Sequence, residues 1–100
     1  MSYEMLVGLN VLDDDKYQQY RTAMKPILQK YDGKFGYDFK VSDVLLAETS
    51  EAINRVFTIN FPSSSVMEDF FSDPDYIVVK KHHFEESVGN TTIISSYEKS

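Results

Sequence analysis

His82 and His83, with Glu86 one turn on, are the residue types in this chain most able to hold a metal ion or move a proton near neutral pH. Adjacent helical residues point about 100° apart, so the two imidazoles cannot chelate one ion together. Either can meet Glu86 at one-turn spacing. A closed metal site needs further ligands, and no spacing in the sequence provides them, so no metal is expected. His83 is the catalytic candidate, as a general base at a cavity mouth. The plainer reading, which we prefer, is a solvated helix end on which His83 packs at the core margin. Asp13-Asp14-Asp15 could attract a cation, but it lacks the glycine and distal glutamate of a calcium loop. Helix capping accounts for it without a ligand. Tyr17, Tyr20 and Tyr31 could form a stacking platform; at helical spacing such residues are more often core members with hydroxyls at the rim.

The ligand-contact candidates are Asn10, Asp38, Thr58 and Asn60. Each is a polar residue on an expected strand. Asn10, Thr58 and Asn60 fall on a second sheet face, where a buried amide or hydroxyl needs a partner that a ligand or water can supply. Asp38 and Arg55 read as surface or rim groups. No glycine-rich phosphate loop, serine-triad spacing or dinucleotide fingerprint is present, and no cofactor is expected.

These residues need elements to position them. Tyr3 to Leu12 alternates, with Tyr3, Met5, Val7, Leu9 and Val11 on one apolar face and a mixed set on the other. The aspartates at 13–15 open a helix whose stripe is Tyr17, Tyr20, Met24, Ile27, Leu28 and Tyr31. Pro26 should kink it or restart it. Gly33 should take positive φ beyond its end. Lys34 to Val41 predicts a strand with Phe35, Tyr37, Phe39 and Val41 on one face, and Val44 to Ala47 continues extended. Ile53 to Phe61 predicts the next strand, with Ile53, Phe57, Ile59 and Phe61 facing one way. Ser65 with Glu68 and Ser72 with Asp75 read as capping boxes for two short helices, with Pro74 tolerated in a first turn. Tyr76, Val79, Lys80 and His83 then share a face, with Ile77 and Phe84 on a neighbouring one. Gly89-Asn90 reads as a turn before a last strand, Thr91 to Tyr97.

The order is strand, helix, strand, strand, helices, strand. With right-handed crossovers this gives an α+β, ferredoxin-like βαββαβ domain over residues 1–100: a four-stranded antiparallel sheet, helices on one face, the second helix split in two. One hundred residues with 42% hydrophobic content, seven Tyr and seven Phe support a globular core. The net charge of −6 is spread over both halves and disfavours duplex nucleic acid and anionic membranes as partners. The absence of cysteine excludes disulfides and thiol nucleophiles. No stretch is long or apolar enough to span a bilayer, and a cytoplasmic location is the expectation.

Helices can cover only one face of such a sheet. The other would expose Leu6, Gly8, Leu12, Val56 and Thr58, and apolar area of that kind marks an interface or a pocket. Two sheets packed face to face would bury it and enclose a cavity.

Tyr17…Tyr20, Pro26, Tyr31-Asp32-Gly33-Lys34-Phe35, Phe61-Pro62 and Phe71-Ser72-Asp73-Pro74-Asp75-Tyr76 followed by Lys80 resemble the domain of unknown function 1330 family of the dimeric α–β barrel superfamily. The resemblance covers nearly the whole chain and implies a homodimer whose sheets form a barrel-like sandwich. Asp32-Gly33 stands where such proteins usually have two glycines. Arginines common after the second strand and in the last helix are matched here by Asp38 and His83. Three functions follow as expectations: a homodimeric domain binding a small organic molecule between or beside its sheets; a cofactor-free isomerase or monooxygenase-like enzyme, by fold analogy alone; or an interaction protein whose exposed face meets another partner.

Overall fold

The computed structural model describes residues 1–100. Its elements are β1 (Ser2–Val11), α1 (Asp14–Lys30), β2 (Lys34–Lys40), β3 (Arg55–Phe61), α2 (Ser64–Ser72), α3 (Pro74–Val79), a π-helical turn (Lys80–Phe84), α4 (Glu85–Ser87) and β4 (Val88–Lys99). The strands form one antiparallel sheet in the order β2-β3-β1-β4, the ferredoxin-like plan. No helix is long and apolar enough to cross a membrane.

Period-two alternation sends Val7, Leu9 and Val11 of β1 and Phe57, Ile59 and Phe61 of β3 to one side, where the helices bury them. Against them α1 lays Tyr17, Tyr20, Met24 and Leu28, one residue per turn or so. Phe70 of α2 and Tyr76 of α3 close the core, their rings 4.5 Å apart. The opposite face carries Leu6, Val56, Phe39, Ile94 and Tyr97, and no helix covers it.

Local chemistry departs from the sequence expectations at several points. Asp13 caps α1 as expected, accepting from Lys16 N at 3.0 Å, and α1 runs through Pro26 to Lys30 without interruption. Asp32, not Gly33, takes positive φ (56°). Gly33 is required for space: a Cβ there would lie 2.3 Å from Leu28 Cδ1. The cap of α2 is Ser63, which accepts from Val66 N, and the cap of α3 is Asp73, which accepts from Asp75 N and Tyr76 N. Both caps sit one or two residues away from the boxes read from spacing, because the carboxylate or hydroxyl nearest the free N–H groups takes them. Val44 to Ala47 is not a strand. β3 begins only at Arg55, so this segment has no ladder to join, and Leu45 and Leu46 are almost fully exposed. β4 begins at Val88, so Gly89-Asn90 lies inside a strand.

The largest correction concerns β2. A bulge between Phe35 and Asp38 inserts one residue. Phe35 stays on the helix side, while Tyr37 and Phe39 turn to the open face, where their rings stack at 5.7 Å. Asp38 turns the other way, under α1. Ile53 likewise leaves the core face; it lies in the loop and covers Gly8 on the open side.

Candidate functional site

Between the helices and the sheet lies a cavity of about 190 Å³. Thirteen of its fifteen lining residues are hydrophobic, Lys80 and Thr91 being the exceptions. Its floor is Met5, Val7 and Leu9 of β1 with Phe57 and Ile59 of β3; its roof is Tyr17, Tyr20 and Met24 of α1 with Tyr76 of α3. The exposed lining residues, Phe71, Lys80, Thr91 and Ile93, mark the mouth, beside the β4 edge of the sheet. Rigid aromatic rings on α1 and α3 hold the roof off the floor where smaller side chains would let it collapse.

The polar atoms of this cavity are few. Tyr20 and Tyr76 hydroxyls stand 2.8 Å apart. Two hydroxyls carry two protons, and the bond between them uses one. Neither makes another hydrogen bond, so one phenolic proton is left to donate. Burial pushes the Tyr20 hydroxyl far above the ordinary phenol range, and burial likewise raises that of Tyr76. Both remain protonated at neutral pH.

The π-helical turn shapes the mouth. Eight residues of plain α-helix would swing Phe84 about 80° away from Tyr76. The wider turn takes up the difference, and Phe84 packs on Tyr20 with ring centroids 4.9 Å apart. Lys80, at the first position of the turn, lines the cavity. The sequence reading put His83 on this face and Phe84 off it; the structure reverses them. His83 lies half-buried on the outer side, in a groove with Asp15, Gln18 and Thr22. Glu86, one turn on from the two histidines, accepts from Lys16 Nζ at 2.8 Å.

Asp38 sits under α1 beside the cavity wall. Arg55 grips it through Nε and Nη2 at 2.7 and 2.8 Å, and Arg21 Nη2 stands 3.4 Å away. The Arg55 bonds hold the Asp38 carboxyl below its ordinary value. Arg21 donates to Tyr17 Oη at 2.8 Å and lies 3.8 Å over the Phe35 ring. Its Nη2 is buried and, at 3.4 Å from Asp38 Oδ1, makes an ion pair without a hydrogen bond.

The other candidates lie on the open face, apart from Asp38 and from the cavity. Thr58 Oγ1 accepts from Tyr37 N at 2.8 Å, closing the gap that the β2 bulge leaves in the ladder. Asn60 donates to Ser2 Oγ at 3.0 Å and to Glu4 Oε1 at 3.5 Å. Glu4 is buried here, accepting also from Tyr97 Oη at 2.5 Å and Lys99 Nζ at 3.3 Å. Asn10 lies on the same face, its Nδ2 beside Gly89. Sequence reasoning therefore missed the phenol pair and Lys80 as a group. Lys80 had left a signal, since it shares the stripe of Tyr76; the Tyr20–Tyr76 contact spans 56 positions and leaves none.

A family model described as Domain of unknown function (DUF1330) matches residues 3–97. The chain belongs to the DUF1330 family. Comparison with functionally curated proteins found no match. Among solved structures, a protein of unknown function from Rhodopseudomonas palustris has a TM-score of 0.80 at 19% identity, over 99% of this chain and 82% of that one. A dimeric ferredoxin-like protein of unknown function from Jannaschia has 0.71 at 12%, over 99% and 100%. The hydroxynitrile lyase of Passiflora edulis has 0.65 at 12%, over 99% and 94%. At these identities the likeness concerns the ferredoxin-like fold alone, which this DUF1330 member shares.

Proposed function

We propose that this protein is a homodimer that binds one small, largely apolar organic molecule in a cavity inside each protomer, between sheet and helices. One observation carries the reading: an apolar chamber with a phenolic proton to spare. The chamber exceeds the roughly 150 Å³ engineered cavity that admits benzene, so a single ring with a short substituent fits. The free Tyr20 or Tyr76 proton selects a ligand with a carbonyl, hydroxyl or carboxylate oxygen. Phenols held protonated by burial donate hydrogen bonds and do not abstract protons at neutral pH. The cavity therefore supports binding over isomerisation.

Native mass spectrometry of freshly purified protein tests this, with benzyl alcohol added as a defined ligand. Benzyl alcohol should bind one per protomer and raise the thermal midpoint. Thr91→Trp, placed at the exposed mouth, should abolish both effects while leaving the far-ultraviolet circular dichroism unchanged. Absence of binding to the wild type, or binding unaffected by Thr91→Trp, would remove the cavity as the site.

A further inference from the structure

Lys80 is the one charged residue that lines the cavity. It makes none of the six ion pairs in the protein and no side-chain hydrogen bond. Lys25, Lys34 and Lys81 make no ion pair either, but they stand outside the cavity lining. Lys80 instead lies one turn beyond Tyr76, with its backbone N–H bonded to Tyr76 O and its backbone still α-helical. Residues four apart on a helix are neighbours on one face. Lys80 and Tyr76 are therefore neighbours on the helix face that lines the cavity.

We infer that the ligand is a monocarboxylic acid, its apolar body inside the cavity and its carboxylate set between Lys80 and the Tyr20–Tyr76 hydroxyls. The inference rests on the cavity reading above and names the ligand class for it. One oxygen of a carboxylate accepts the phenolic proton and the other pairs with the ammonium, so both unused donors are satisfied at once. A phosphate dianion fits worse: the cavity lining offers no arginine, and one lysine with one phenol leaves most phosphate oxygens without donors. A neutral alcohol or ketone uses the phenol and leaves Lys80 idle.

Isothermal titration with phenylacetate and with phenethyl alcohol, its near-isosteric neutral counterpart, tests the inference on three proteins: wild type, Lys80→Met and Lys81→Met. The wild type should bind phenylacetate about tenfold more tightly than the alcohol, as a charge-assisted hydrogen bond contributes. Lys80→Met should erase that preference and keep affinity for the alcohol. Lys81→Met, which alters a neighbouring lysine outside the cavity, should retain it. Equal affinity of the wild type for both compounds overturns the carboxylate inference and leaves the cavity reading standing, as does a preference that survives Lys80→Met or falls equally in Lys81→Met. Failure of both compounds to bind overturns the cavity reading, and this inference with it.

Discussion

Asp73 holds four partners at once. Its Oδ1 accepts from the backbone N–H groups of Asp75 and Tyr76 at 2.8 and 3.3 Å. Its Oδ2 accepts from Tyr31 Oη at 2.6 Å and meets Lys30 Nζ at 3.1 Å. One carboxylate thus caps α3, which carries Tyr76 into the cavity, and ties it to the end of α1. The Tyr31 hydrogen bond, followed by those of Lys30 and the two backbone groups, lowers its pKa to about 2. A depressed carboxyl contributes stability above its unfolded value of about 3.9 and loses it as pH falls through the folded one. We therefore expect the urea midpoint of the wild type to drop between about pH 4 and pH 2. Asp73→Asn keeps a good capping residue but removes the charge, so its midpoint should fall less across that window. Some slope should remain, because Glu4 and Asp38 are also held below their ordinary values. A variant slope equal to that of the wild type would mean that Asp73 titrates as a free carboxyl. Thr58 gives a second test at this scale. Thr58→Val conserves shape but leaves Tyr37 N–H without its acceptor, which should cost about 1–3 kcal/mol in denaturant unfolding.

Two irregular elements decide which side chains reach which face. The β2 bulge sends Tyr37 and Phe39 to the open face and Asp38 under α1. Gly36 permits it, since a Cβ there would lie 2.6 Å from Thr58 Oγ1. Gly36→Ala should push Thr58 off the Tyr37 N–H and destabilise the protein by about 1–3 kcal/mol. Gly36→Ala combined with Thr58→Val should cost less than the two single changes summed, because both act through one hydrogen bond. Strict additivity in that double-mutant cycle would separate the glycine from the bulge. The π-helical turn does the corresponding work at the cavity, returning Phe84 to the stripe of Tyr76 and Lys80. Neither irregularity was legible in the sequence. Alternation and 3.6-residue spacing are read by assuming regular elements, and one extra residue inverts every assignment after it. Phe39 and His83 were misplaced for that reason.

At the scale of the molecule, the accessible surface is 6351 Å², against about 5,800 Å² for a monomer of this mass. Only 19 of 100 residues are buried, a small core to offset the conformational entropy of the whole chain. On the uncovered sheet face and its flanking loop, Tyr37, Phe39, Leu45, Leu46 and Ile94 are exposed. A second copy covering that face is the assembly we propose, and the dimeric ferredoxin-like protein from Jannaschia has the same fold. Sedimentation equilibrium at micromolar concentration should give twice the chain mass. Phe39→Glu with Ile94→Glu should halve it and leave the helix-side cavity able to bind benzyl alcohol. A wild-type monomer under those conditions would overturn the dimer.

The amino-acid pattern alone determined the order of elements, the ferredoxin-like topology and the core stripe of Tyr17, Tyr20, Met24 and Leu28. These follow from local periodicity and capping chemistry, which act over a few residues. It also determined that one sheet face must lack helices, because a chain with this order has none left to place there. Tertiary structure decided where the site lies. Asn10, Thr58 and Asn60 share the open face as their alternation required, yet Thr58 and Asn60 satisfy partners within the fold. The phenol pair and Lys80 come together only when α1, α3 and the π turn settle on the sheet. That meeting depends on how far apart two packed layers stand, a distance set by every side chain between them and written in no single stretch of sequence.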